Sequence, residues 1–336
     1  MDELDIAIDG LELFNEADFP QKPARFGYTR GLNAALDAQI EACLRYPYSN
    51  EVPARSYVLH PATGEFVQRM ITRADLEGLT PVLAIGSNRV PRVNTNKMNR
   101  KVGQLGYVPG LAERNTVIPI TKVMLKNGAV VYSATAYRSI PATLARVEGA
   151  ETELFVTWLS KMQLKAMHAT EDLENLYERR HDGTIKETPR HPPDEAAEFA
   201  WHWPESDANG EPIIPPLDSY ILSRISLDQL SFSEDECTPE AIKHIRSNYG
   251  AIESYVASAG YLRDRDGDPI AYDDIPLSGT QISRASQRKI CAKYAQLGGY
   301  AALEEFLAML QLDPETAMKT KQFMNEHGST PIKLRA

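Results

Sequence analysis

The pattern of apolar and polar positions separates a strand-rich middle from a helix-rich end. Short apolar runs are dense from Thr80 onward: Val82 to Ile85, Val117 to Lys126, Ala129 to Tyr137 and Glu153 to Leu159. Runs of this length, bounded by turn residues, read as buried strands. Asn127-Gly128 between the second and third predicts a two-residue hairpin, because both residue types accept the positive φ of a tight turn. Upstream, Asn33 to Leu44 carries a short amphipathic helix pattern. Ser56 to Leu59 and Glu65 to Ile71 alternate around Pro61-Ala62-Thr63-Gly64, which predicts another hairpin. The span Arg89 to Gly110 reads as irregular, either a solvated loop or part of a pocket wall near Gly86-Ser87-Asn88, with the loop favoured, and Tyr220 to Ser226 reads as one more strand.

Past that strand the period changes. Ile242, Ile245, Tyr249, Ile252 and Val256 are spaced for one face of a helix over Pro239 to Ala259. Further helices are expected over Ser283 to Leu297 and over Tyr300 to Leu312, where Leu303, Phe306, Leu307 and Leu310 make a stripe. Asp313-Pro314 opens a last helix, proline being suited to a first turn. The middle strands have few helices between them, so the expected fold is α+β, with a mixed or antiparallel sheet closed into a small barrel.

Three regions follow: an N-terminal extension (1–79), a barrel (80–226) and a mostly helical C-terminal part (227–336). The barrel region holds a polar, proline-rich insertion at about 178–216, too long for an ordinary connection. Trp201-His202-Trp203 within it are expected to anchor it to the body.

Composition narrows the function classes. With 336 residues there is ample core for one large or two ordinary domains. A net charge of −10 argues against a general nucleic-acid or anionic-membrane binder, which needs a basic face. No apolar run reaches bilayer-spanning length. The acidic start MDELDIAIDG lacks the basic region of a signal peptide. Cys43, Cys237 and Cys291 form no disulfide framework and no metal spacing. A cytoplasmic protein is expected, without membrane or nucleic-acid partners.

The candidate chemistry lies in the helix that follows Phe155 to Leu159. Ser160 and Gln163 fit a capping box. From there Leu164, Met167 or His168, and Glu171 share one helix face. A carboxylate on a core-facing stripe is near a rim, paired, or held for chemistry, because burying it alone is costly. His168 and Glu171, an i, i+3 pair, have a spacing that can also bind a metal, but no further ligand motif accompanies them. Asp264-Arg265-Asp266-Gly267-Asp268 fails as a calcium loop: Pro269 and Ile275 stand where glycine and glutamate are needed. It is expected to be a polar turn. Gly86-Ser87-Asn88 is not a nucleophile elbow, and no phosphate-binding loop is present.

The stretch Thr80 to Tyr177 resembles the γ-glutamylcyclotransferase-like family. The resemblance rests on Gly86-Ser87-Asn88 after an apolar strand, on Ala142-Thr143-Leu144 followed by Gly149, and on Met167-His168-Ala169-Thr170-Glu171 after the strand ending at Leu159. Ile85 replaces the usual aromatic before the glycine, His168 a common aspartate, and Asp172 a common glycine. The resemblance implies a small mixed barrel with flanking helices and a cofactor-independent, metal-independent reaction. In it the α-amine of a γ-glutamyl amide attacks its own γ-carbonyl, releasing 5-oxoproline and an amine. Glu171 would be the catalytic acid/base in an apolar surround. Gly86, Ser87 and Asn88 would cradle the substrate, Tyr177 would contact it, and His168 would support the site. The alternative is a barrel that binds a small ligand, or serves as a scaffold, without turnover. The leaving amine and the oligomeric state stay open.

Overall fold

The structure is a computed structural model. It describes residues 11–13, 19–99, 116–136, 139–171, 177–179, 185–187, 197–198, 220–257 and 260–327. Helix α1 (Ala34–Leu44) is capped by Asn33, whose side chain accepts from the Leu36 amide at 3.1 Å. The expected hairpin follows, with β1 (Tyr57–Leu59) antiparallel to β2 (Phe66–Gln68). A short helix α2 (Arg73–Leu76) leads to β3 (Thr80–Ala84), a tight turn at Gly86, a 3-10 turn at Ser87–Arg89 and helix α3 (Pro91–Asn99).

Strand β4 (Ile118–Tyr132) pairs antiparallel with β5 (Ala142–Leu159) along most of both. Helix α4 (Lys161–Thr170) then starts at the expected capping box, with the Gln163 amide 3.2 Å from Ser160 Oγ and the Ser160 amide 2.9 Å from Gln163 Oε1. Short strands β6 (Tyr177–Arg179) and β7 (Ile185–Glu187) pair with each other. After them come β8 (Ala197–Glu198), β9 (Tyr220–Ser226), β10 (Leu230–Ser231), helix α5 (Pro239–Asn248) and β11 (Ala251–Ala257). The chain continues with β12 (Ala271–Tyr272), β13 (Leu277–Ser278), β14 (Arg284–Ala285), α6 (Gln287–Leu297), α7 (Leu303–Leu312) and α8 (Pro314–His327).

Apart from the separate β6–β7 pair, one mixed sheet ties the strands together, in the order β14-β12-β4-β5-β3-β11-β9-β8, with β1 and β10 also on β4 and β13 on β5. The fold is α+β, as expected. Among the described residues the ladders do not close into the expected barrel: β14 and β8 stand at the two ends of the order. The sheet draws strands from all three regions that the sequence suggests.

Both faces of the central strands are covered, which explains their unbroken apolar runs. Leu83, Leu154, Val156 and Trp158 enter the main core with residues of α1, α6 and α7, including Ile40, Ile290, Phe306 and Leu307. The alternate positions Val82, Ala84 and Phe155 meet Met98 of α3 and Ala166 and Met167 of α4 on the other face.

Three expectations are corrected. Asn127-Gly128 makes no hairpin, because β4 runs straight through it. Its turn chemistry serves a bulge instead: Asn127 has φ +55°, its side-chain oxygen accepts from the Gly149 amide at 2.8 Å, and the register slips between Lys126 and Gly128. The helix expected over Pro239 to Ala259 ends at Asn248, and Ile252 and Val256 lie on β11. A spacing of four residues keeps one face in a strand as well as in a helix, so those two positions could not discriminate. Residues 91–99 are helical rather than irregular. Pro91, Asn94 and Met98 are buried at helical spacing, and this anchoring overrides the poor propensity of three asparagines. The rest of that expected loop (100–110), Trp201, His202 and Trp203 lie outside the described residues.

The polar turn at Asp264 is present: its Oδ1 accepts from the amides of Asp266 at 3.1 Å and Asp268 at 3.0 Å. Among the described residues no helix is long and apolar enough to cross a membrane.

Candidate active site at the end of helix α4

Two segments far apart in the chain meet at Glu171. Strand β3 delivers Gly86, Ser87 and Asn88 just past its C-terminal end. Helix α4, packed on the sheet through Ala166 and Met167, ends with Glu171 as its C-cap beside that strand end. The Asn88 side-chain nitrogen donates to Glu171 Oε1 at 3.0 Å across 83 residues of sequence. The Glu171 side chain is only 10% exposed.

The apolar surround expected for Glu171 is not what the structure shows. Lys97 of α3 forms an ion pair with Glu171 Oε1, its own side chain being 17% exposed. The Lys97 ammonium also lies 3.9 Å from Met167 Sδ. The reason is geometric: α3 packs against α4, and its seventh residue falls opposite the helix end. Glu171 Oε2 has no partner among the described residues. Asn88 Oδ1 is buried with no hydrogen bond among the described residues.

The turn is built around Gly86. Its φ of +36° and ψ of −133° lie where side chains are strained. A Cβ there would stand 2.5 Å from Tyr46 Oη and 3.1 Å from the Ala142 Cβ. Tyr46 Oη accepts from the Ala142 amide at 3.0 Å, tying the turn to the start of β5. Arg89, 2% exposed, donates through Nε to the Gly86 carbonyl at 3.0 Å and through a terminal nitrogen to Ser49 Oγ at 3.1 Å. Burial pulls its guanidinium below the ordinary range, and Asp274 is the leading opposing charge. Asn94 braces the turn from below, donating to the Asn88 carbonyl at 2.8 Å. At the head of a 3-10 turn the amides of Ser87 and Asn88 find no acceptor within the turn itself.

His168 stands one helical turn before Glu171. Its Nδ1 is 2.9 Å from Tyr255 Oη on β11. Burial pushes the imidazole down to about 4, with Glu171 opposing the shift, so the ring is neutral near neutral pH. The Tyr255 hydroxyl is raised well above its usual value, first by burial and then by Glu171 and Glu253. Both partners of this bond are therefore neutral. His168 is turned to Tyr255 rather than to a cation, and no metal-binding group of three or more His, Cys, Asp or Glu occurs among the described residues.

Of the residues expected from the sequence, Gly86, Ser87, Asn88, His168 and Glu171 assemble here. The backbone of Tyr177 opens β6, and its side chain lies outside the described part of the structure. Sequence reasoning missed Lys97, Arg89, Tyr46 and Tyr255. Pro91 was the available signal for Lys97, since proline suits a first helical turn and would have placed a cation six residues further on beside the glycine turn. Nothing local marked Tyr46 or Tyr255.

No family model, curated protein or solved structure matches this chain. The family resemblance therefore stands on its residues, and the function on the geometry above.

A second polar region lies at the opposite end of β3. A cavity of about 880 Å³ is lined there by Thr80, Arg146, Arg224, Tyr249 and Glu253, among others. Burial raises the Glu253 carboxyl, and Arg224 opposes the shift.

Proposed function

We propose that the chain is a γ-glutamylcyclotransferase-like enzyme that converts a γ-glutamyl amide into 5-oxoproline and a free amine. The observation that carries this reading is the meeting of Asn88 with Glu171. The two motifs that the resemblance names are brought into hydrogen-bond contact at the C-terminal end of β3.

The reaction suits such a site because its nucleophile is already tethered to its target. Holding the α-amine near the γ-carbonyl supplies much of the rate. Glu171 takes a proton from the α-ammonium, and the freed amine attacks the γ-carbon. The tetrahedral intermediate collapses as Glu171 gives that proton to the leaving nitrogen and its C–N bond breaks, and the surplus proton on the new ring nitrogen then passes through Glu171 to the released amine, which departs as an ammonium. In this reading the amides of Ser87 and Asn88 bind the oxyanion. No step requires a cofactor. We take the sheet to be the family's small barrel in open form. In support, β9 passes through one 3-10 turn (Leu227–Gln229) into β10, which pairs with β4.

A non-catalytic binding protein is the second reading, and the Lys97–Glu171 ion pair favours it, since the pair occupies the carboxylate. Release of 5-oxoproline from a panel of γ-glutamyl amides separates the two. The enzyme reading expects Glu171→Gln to lower the rate by about 10²–10⁴-fold with folding intact. Ligand binding without release, equal in both proteins, would establish the second reading instead.

A further inference from the structure

The Lys97–Glu171 pair makes little sense as a stabilising device. Taking both charges largely out of water costs about as much as their attraction returns. The pair also leaves its surroundings incompletely bonded. Lys97 Nζ has three donors but contacts one carboxylate oxygen and a thioether sulfur, a weak acceptor. On the other side, among the described residues Glu171 Oε2 has no partner and Asn88 Oδ1 is a buried acceptor with no donor. Asn88 Oδ1 belongs to the same carboxamide whose nitrogen is bonded to Glu171 Oε1. The site therefore presents a cation with unused donors beside two acceptors with unused lone pairs.

A ligand that completes this set has an ammonium and a carboxylate on neighbouring atoms. We infer that Lys97 and Glu171 together read the zwitterionic α-amino-acid head of the substrate, with Lys97 binding the α-carboxylate and Glu171 and Asn88 Oδ1 receiving the α-ammonium. This inference rests on the cyclotransferase reading and sharpens it. The substrate class is an amide whose γ-glutamyl end is free at both α-groups, and the Ser87 and Asn88 amides are left for the oxyanion. The Lys97 ammonium stands where this inference puts the substrate's own. On binding, the two ammonium groups exchange partners without leaving a bare buried charge.

The test compares γ-L-glutamyl-L-alanine with 4-aminobutanoyl-L-alanine, which lacks only the α-carboxylate. The wild-type protein should prefer the first, and Lys97→Met should lower kcat/KM on it by about 10–100-fold, the scale of one charge-assisted contact, mainly through KM. On the second compound Lys97→Met should show only the loss that comes from leaving Glu171 without its partner, a loss common to both compounds, so the preference for the first should collapse, and Lys97→Arg should keep most of it. An equal loss on both compounds, or no loss on either, overturns the inference while leaving the cyclotransferase reading intact. Calorimetric binding of the same two compounds is the companion measurement. Lys97-dependent preference in binding without any turnover would uphold the role of Lys97 and remove the cyclotransferase reading. Absence of binding and turnover alike would overturn both.

Discussion

Glu171 and Glu253 flank Tyr255, whose hydroxyl feels both charges, yet the protein handles the two carboxyls in opposite ways. Glu171 sits at the end of α4 with a lysine and an asparagine amide on one oxygen. Glu253 sits on β11 in a cavity of about 880 Å³, directly across the ladder from Arg224. Its carboxyl is raised by burial, which Arg224 only opposes. A carboxylate held by fixed donors beside a rigid turn is preorganised for one orientation of ligand. A carboxylate in a roomy polar cavity is merely tolerated. Burial alone would rank the two glutamates as similar candidates; the placement of donors separates them.

That contrast depends on the rigidity of the turn, which can be broken directly. Gly86→Ala forces a Cβ against Tyr46 Oη and imposes a strained φ, so it should destabilise the fold by about 2–3 kcal/mol. Thermal unfolding would show it as a lowered Tm. Tyr46→Phe in the same chain removes the clashing oxygen, and the double variant should lose less than the sum of the singles.

His168 sharpens the contrast through pH. Its folded pKa, about 4, lies below the ordinary 6.5, so its contribution to stability is complete above pH 6.5 and is lost as pH falls toward 4. The loss should be on the order of 2 kcal/mol. Denaturant titrations of the wild type and of His168→Gln across that window should converge at low pH.

Glu253 has the opposite sign and the smallest effect. A raised carboxyl favours the protonated folded state, so the cost of its burial is absent below pH 4.5 and appears as pH rises through the folded pKa. Glu253→Gln should therefore raise Tm by about 1–3 °C at neutral pH. At low pH the gain should vanish.

Much of this site was legible in the sequence where the signal was local. Ser160 and Gln163 announced the start of α4, and helical periodicity put Glu171 on the packed face. The resemblance paired that residue with Gly86, Ser87 and Asn88. The errors arose where one local pattern serves two structures. Asn127-Gly128 supplies positive φ equally to a hairpin and to a bulge, and Ile252 with Val256 fits either period. Lys97, Arg89 and Tyr46 were invisible for a different reason. Their roles come from contacts across the fold, such as Tyr46 beneath Gly86, which no local pattern encodes.

The central claim is that Glu171, and not its similarly buried neighbour on the sheet, performs the chemistry. Release of 5-oxoproline should be measured side by side for the wild type, Glu171→Gln and Glu253→Gln on γ-glutamyl amides. The account expects release to survive in Glu253→Gln and to collapse in Glu171→Gln. Release that persists in Glu171→Gln, or that fails only in Glu253→Gln, would contradict it.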